Sequence, residues 1–403
     1  TGVQVLGGGR SRRLLAPTLG VTSLATTSRG QLLAGRTSSS AVAVWRLDGD
    51  LAPTWSSARP GTTVPLDDDL LLNCQVDCIL SSATGQWPDR LIDLRLAMLQ
   101  SVLAAPWSDV AVASLQAMDG PGHLVIDRST QAMTLLAPEA FELITLAGRD
   151  GVAITKSGRV GVLRPLGDGS VRELGRVEGS ILAVTGSRDA VGVSTAEGTL
   201  ARFRLADGTH DEAQVAPGLG SSLSLGSTGV IHAARGATLV QWRPGATPVE
   251  VATLSSSILY LVHDTRDETG LAVVAYTEDG SVHYVDASGA VRTTSAPTLL
   301  GIPSLSWGGV VAGSTAGNEV LRIDARDGIV QRLPTRSRVL PVVSPSGRTM
   351  LLPRDGGVDG YVDDLPTHPL GLRAWLATTT NARLAPDGVS MTWADPTTVV
   401  PGP

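Results

Sequence analysis

A glycine-punctuated hairpin recurs along this chain about every forty residues, and no other feature restricts its fold as strongly. Five copies read SGRVGVLRPLGDGSV (157–171), EGTLARFRLADGTH (197–210), RGATLVQWRPGATPV (235–249), DGSVHYVDASGAV (279–291) and GNEVLRIDARDGIV (317–330). Their leading glycines, Gly158, Gly198, Gly236, Gly280 and Gly317, are separated by 40, 38, 44 and 37 residues. Each copy is a turn, a short strand, a second turn and another strand. A repeat of that length and content is expected to form one four-stranded blade of a β-propeller. The sequence therefore predicts an all-β chain.

Further units open near Phe141, Ser180, Ser221, Ser257 and Ile302, and 109–137 forms another. The last repeat, 339–366, supplies three strands and stops. Ring closure explains an incomplete last blade, because a strand from the other end of the chain can complete it and remove two exposed edges. The expected donor is the N-terminal segment VQVLGGGRSRRLLAP (3–17), with 21–50 as the next unit. Setting aside 51–105, residues 3–366 supply 309 residues, against about 320 for eight blades of ~40. The expectation is one propeller over 1–366, eight-bladed, with seven or nine as the alternatives.

Two stretches break the rhythm. In 51–105, Pro53, Pro60, Gly61 and Pro65 interrupt the pattern. There RLIDLRLAMLQSVLAA (90–105) places Leu91, Leu94, Met98 and Val102 at helical spacing, although two strands also fit. The stretch reads as an irregular blade or a helical insertion. In 367–403, Leu372, Trp375, Leu376 and Thr379 share a helical face after Pro369, which predicts a short amphipathic helix in a C-terminal extension. DGVSMTW (387–393) reads as a final strand. The chain opens mid-pattern without Met and reads as a processed product or a piece of something longer.

The repeats carry a family resemblance. SPSGRTMLLPRDGGVDGYVDD (344–364) and SRGQLLAGRTSSSAVAVWRLD (28–48), with Trp45 at the expected place, resemble the WD40 pattern of S-P-D-G-R, strand, turn and strand. GYVDDLP followed by LRAWLATTTNARL is similar to the ends of WD40-type regions in large bacterial multidomain signalling or defence proteins. The Trp-Asp dipeptide itself is missing, since Arg46 follows Trp45 and Arg243 follows Trp242, and Gly-His occurs once, at Gly122–His123. The usual Asp–His–Ser/Thr–Trp network is therefore not expected. The resemblance implies a regulatory module joined to an effector domain.

The chemistry-bearing motifs do not assemble into an active site. There is no phosphate-cradling P-loop, no G-x-S-x-G elbow and no H-E-x-x-H pair. No apolar run approaches the ~18 residues of a membrane span. A net charge of −6 disfavours nucleic acid. Cys74 and Cys78 are the only cysteines. In one continuous strand their Cα atoms would lie ~13 Å apart, too far to bridge. They read as two buried thiols in a reducing compartment, which points to the cytoplasm.

Three groups merit a position check. His232, His263 and His283 come from neighbouring repeats and could converge on a channel as metal ligands, although satisfied or solvent-facing histidines are the plainer reading. The acidic runs Asp67–Asp69 and Asp264, Asp267, Glu268 lack the spacing of a calcium loop and read as solvated turns. Arg202, Arg204, Arg243 and Arg322 occupy similar strands and could line one rim for an anionic ligand, or else pair with Asp324, Glu197 and Asp207. The functional expectation is a non-enzymatic scaffold or sensor that binds a protein or peptide, without metal or cofactor. The alternative is a propeller enzyme or small-ligand binder with its site at the central channel. Trp55, Trp87, Trp107 and Trp307 lie in or beside turn-rich segments and are the candidate partner-facing residues.

Overall fold

A computed structural model describes residues 2–7, 10–15, 21–26, 32–37, 42–46, 55–57, 62–74, 77–82, 89–92, 98–117, 120–136, 142–164, 171–220, 222–294, 296–335, 339–354, 357–362, 382–384 and 391–393. The chain divides into two units, Thr54–Val362 and Thr1–Pro53 with Asp363–Pro403.

Among the described residues, Thr54–Val362 holds eight four-stranded antiparallel sheets. Blades 1 to 7 span 62–92, 98–136, 143–176, 181–214, 223–253, 258–293 and 300–334. Each is a meander of strands a to d. The a strands of successive blades pack on one another, which places them innermost around an axis. Blade 8 is composite. Val342–Val343, Thr349–Arg354 and Gly357–Val362 come from the end of the unit, and Trp55–Ser57 from its start. Ser57 pairs with Val358 and Trp55 with Gly360.

The middle strands are buried on both faces, as strands between two neighbouring sheets must be. Leu70–Cys74, Ala190–Thr195, Val273–Thr277 and Val310–Ser314 are buried at every position. Every neighbouring pair of blades shares an apolar cluster, from blades 1 and 2 around Leu72, Leu80 and Leu124 to blades 7 and 8 around Val320 and Met350. The circle closes between blades 8 and 1, where Leu71 packs on Leu351 and Val358. That cluster is small, and a polar latch supplements it. The Asp68 carboxylate accepts hydrogen bonds from Ser344 Oγ at 2.8 Å and Ser346 Oγ at 2.6 Å, and Thr349 Oγ1 donates to it at 3.3 Å.

The architecture is the eight-bladed propeller the repeat predicted, and blades 3 to 7 begin within two residues of the expected unit starts. The closing strand differs. It is Trp55–Ser57 and not 3–17, and it lies inside the stretch that had been set aside. That stretch is a full blade in disguise. Its first turn, Leu66–Asp69, uses no glycine: Asp67 Oδ1 accepts the amides of Asp69 and Leu70 and makes the turn with its side chain. RLIDLRLAMLQSVLAA supplies two strands, Arg90–Ile92 of blade 1 and Met98–Leu103 of blade 2, so cross-strand pairing overrides the helical spacing.

The cysteines also depart from expectation. They do not lie along one strand but face each other across the hairpin between strands b and c of blade 1, with Cα atoms 4.2 Å apart, and form a disulfide. The strand geometry that excluded a bridge does not apply to two cysteines on paired antiparallel strands.

The other unit holds the hairpin Gly2–Gly7 with Arg10–Leu15, a three-stranded sheet of Val21–Thr26, Leu32–Thr37 and Val42–Arg46, and the hairpin Ala382–Leu384 with Met391–Trp393. The predicted strand at 387–393 is therefore present over Met391–Trp393. The strands of 2–46, expected as blades of the ring, pair only among themselves. The helix expected from Leu372 to Thr379 lies outside the described residues.

Candidate partner-binding site

A blade's a strand starts on one face of the ring and ends on the other, so the two faces carry different turns. On the face where a turns into b, the blades are tied by backbone bonds that step around the circle. Asp109 N donates to Arg149 O, Gly148 N to Ser187 O and Thr265 N to Trp307 O. Charged struts reinforce them. Arg266 spans from Asp264 of blade 6 to Asp324 of blade 7, with contacts of 3.1 and 2.7 Å. The expected solvated turn at Asp264 is thus a buried ionic joint between blades, and Asp67 and Asp68 likewise serve turn and latch.

Two of the four candidate tryptophans meet on this face. The Trp107 and Trp307 rings stack edge-on with centroids 4.5 Å apart, and Trp307 Nε1 donates to Ala104 O at 3.1 Å. Trp307 belongs to the a–b turn of blade 7 and Trp107 to that of blade 2. Three steps separate these blades around a ring of eight, so their contact reaches across the end of the channel. Both rings are half-buried and face each other. Trp55 lies in the closing strand, and Trp87 is outside the described residues.

The arginine quartet does not form one rim. Arg322 Nη2 donates to Gly347 O at 2.8 Å in the next blade and Nη1 to Gln331 Oε1 at 3.3 Å. Arg202 lies 3.9 Å from Asp211 and packs on Gly229 of the next blade, where a Cβ would come within 2.4 Å of its guanidinium. Gly229 also has a φ of +81°, so this turn needs glycine twice over. Both arginines are interblade struts, whereas Arg204 and Arg243 are exposed.

The histidines separate in the same way. His232 and His263 sit close together where blades 5 and 6 meet, and burial with mutual repulsion drives the His232 pKa down to about 3. Burial also lowers that of His263. His283 is occupied elsewhere: its Nε2 meets Thr277 Oγ1 at 3.1 Å and Ser255 Oγ at 3.3 Å, and its Nδ1 meets Thr293 Oγ1 at 2.9 Å. Both hydroxyls on Nε2 also donate to Asp279, at 2.6 and 2.7 Å, which holds that carboxyl at about pKa 2. A hydroxyl–carboxylate–imidazole network therefore ties the b–c turn of blade 6 to the loop before it. Sequence reading missed it, because a histidine stands where a tryptophan was sought. It is not a charge relay, since the carboxylate binds the hydroxyls and a threonine holds the far ring nitrogen.

On the opposite face, where the a strands begin, some apolar side chains are left exposed. The a strands of blades 2, 4 and 6 each carry a bulge near their start, at Gln100, Leu182 and Leu259. A bulge redirects its side chain out of the sheet pattern. Leu259 is 41% exposed, Tyr260 37%, and Leu340, just before the a strand of blade 8, 65%. Leu182, on blade 4, is half-buried. Tyr260 is stacked on Tyr276 at 6.3 Å, and Tyr276 in turn donates to Gly301 O at 3.2 Å. An aromatic held in this way offers contact area at little entropic cost.

No protein-family model matches the sequence, and no curated protein is similar to it. Solved structures are. The C-terminal WD40 domain of Sif2 superposes with a TM-score of 0.54 at 15% identity, covering 78% of this chain and 98% of that domain. The computationally designed Ika8 protein gives 0.50 at 15% identity, covering 78% and 99%. At such identities the likeness is one of fold, and by that measure the chain is an eight-bladed all-β propeller similar in architecture to a WD40 domain.

Proposed function

We propose that this propeller is a non-enzymatic scaffold or sensor that binds a protein or peptide at the open channel mouth. The observation that carries the reading is that Leu259 and Tyr260 of blade 6 and Leu340 before blade 8 are apolar side chains left exposed where a strands begin. Large apolar residues grouped on a rigid rim mark recognition surfaces. The WD40-type fold, which commonly mediates protein interactions, agrees with it. The rim would contact the partner with Tyr260 as a pre-positioned aromatic and Leu259 and Leu340 as flanking apolar contacts. By resemblance, the partner is an effector of a larger bacterial signalling or defence protein to which the propeller is joined. On compartment, the proposal departs from the cytoplasmic expectation, because disulfides such as Cys74–Cys78 persist mainly in oxidising compartments.

Photo-crosslinking tests this reading. A benzophenone amino acid at Tyr260 in the full parent protein should capture a discrete product, and one at Leu135 on an outer strand should not. Leu259→Asp should abolish the Tyr260 product. Equal crosslinking from both positions would refute the assignment of the mouth.

A further inference from the structure

A cleft on the other face suggests a second, independent site. Where the a–b turns of blades 3 and 4 meet is a cavity of about 300 Å³. Four arginines are among its lining residues, Arg149, Arg164 and Arg172 from blade 3 and Arg188 from blade 4, with two aspartates, Asp150 and Asp189. Its apolar wall is Ala147 and Val162, both buried. With Asp109 balancing Arg149, the cleft keeps an excess of one positive charge, in a chain whose net charge is −6.

The four arginines are not equivalent. Arg149 is paired with Asp109, and Arg172 is held by the backbone carbonyls of Leu205 and Ala206 across the blade boundary. These contacts fix two of the cations in place. Arg164 and Arg188 have neither a hydrogen bond nor an ion pair among the described residues, although both line a cleft that also holds Asp150 and Asp189. Two fixed and two free forks in one small volume form an arrangement that anions complete.

The chemistry selects the class of anion. One carboxylate carries a single negative charge and would leave the charge of the second free cation uncompensated. A phosphate monoester dianion has three strong acceptor oxygens and close to two charges at neutral pH, enough for forks arriving from both blades. We propose that this interblade cleft binds a phosphate monoester dianion, with Arg164 and Arg188 as the ligand-contacting residues and Arg172 as the positioned third donor. The site is separate from the apolar mouth, on the other face of the ring, and does not depend on that reading.

Calorimetric titration of the full chain tests the proposal. The probes are inorganic phosphate, the tripeptide acetyl-Ala-phosphoSer-Ala-amide and its unphosphorylated form. Saturable binding of phosphate or phosphotripeptide, and none of the unphosphorylated peptide, is expected. Arg164→Ala and Arg188→Ala should each weaken binding about tenfold, the scale of one lost charge-assisted contact. Neither should alter the melting temperature, since neither side chain has a hydrogen bond or ion pair among the described residues. Affinity should rise by up to about tenfold from pH 5 to pH 7 as the second phosphate proton, of pKa about 6, is lost. Tighter binding of the phosphotripeptide would identify a peptide-borne ester, and tighter binding of inorganic phosphate the free ion; either supports the site. Leu259→Asp should leave all of these titrations unchanged, which separates failure at the mouth from failure here. No saturation by about 10 mM of either phosphate probe, or the same affinity in the Arg164→Ala/Arg188→Ala double variant, would overturn the proposal.

Discussion

Asp68→Ala should open the ring at its weakest seam. The blade 8–blade 1 contact has a small apolar cluster, Leu71 with Leu351 and Val358, so the polar latch carries an unusual share of the closure. The variant removes the acceptor of Ser344 Oγ at 2.8 Å and of Ser346 Oγ at 2.6 Å. Thr349 keeps its second bond, to the Asp68 backbone carbonyl at 3.2 Å. A hydrogen bond to a charged acceptor contributes about 1.5–3 kcal/mol, and the two share one oxygen, so their losses do not simply add. Ser344 is fully buried, whereas Ser346 and Asp68 are partly solvated, which reduces the second loss. About 3 kcal/mol in total is expected. At about 2 °C per kcal/mol for a unit of this size, the melting temperature should fall by about 6 °C. Asp68→Asn keeps an acceptor oxygen without the charge and should lose about half as much. Hydrogen exchange gives the location: protection should fall first in Thr349–Arg354, Gly357–Val362 and Trp55–Ser57 and leave blades 3 to 6 unchanged. An Asp68→Ala protein that melts within about 1 °C of the parent, or whose exchange rises evenly around the ring, would refute the latch.

Other expectations follow from the same contacts. A chain starting at Thr54 and ending at Val362 should keep its strand circular dichroism and a cooperative melt, whereas one starting at Thr62 lacks Trp55–Ser57 and should expose an edge and aggregate; size-exclusion chromatography distinguishes them. The His232 pKa, near 3 in the fold against about 6.5 unfolded, means that the unfolded chain binds the extra proton as pH falls below 6.5. Stability should therefore drop by about 2 kcal/mol per molecule from pH 7 to pH 5, and His232→Gln should flatten that part of a urea-melt pH profile. Reducing Cys74–Cys78 releases a short loop and should cost about 2 kcal/mol, read as a lower melting temperature with reductant; two free thiols in denatured, unreduced protein would refute the bond.

Glycine spacing was sufficient to read blades 3 to 7 because each of their c strands is announced by a turn that needs a residue with no Cβ or with positive φ. Gly158, Gly198, Gly236 and Gly280 all have positive φ. Blade 1 was illegible for the same reason reversed. Its turns are made by an aspartate side chain and by a disulfide-linked hairpin, neither of which leaves a glycine signature. The helical spacing through Met98 and Val102 also misled, because the bulge at Gln100 breaks the period of two that would mark the strand Met98–Leu103.

Of the candidate site residues, the residue types were visible and their neighbours were not. A tryptophan beside a proline or glycine turn looks the same in sequence whether it faces solvent or another tryptophan 200 positions away, and only closure of the ring brings Trp107 to Trp307. The arginine cleft arises in the same way, since it joins arginines of blade 3 to one of blade 4. Local turn chemistry and strand period thus specified how many sheets the chain makes and where most of them begin. Which strand closes the circle, which charges join neighbouring blades and which side chains remain free were decided by packing, because those choices depend on contacts between residues far apart in the chain.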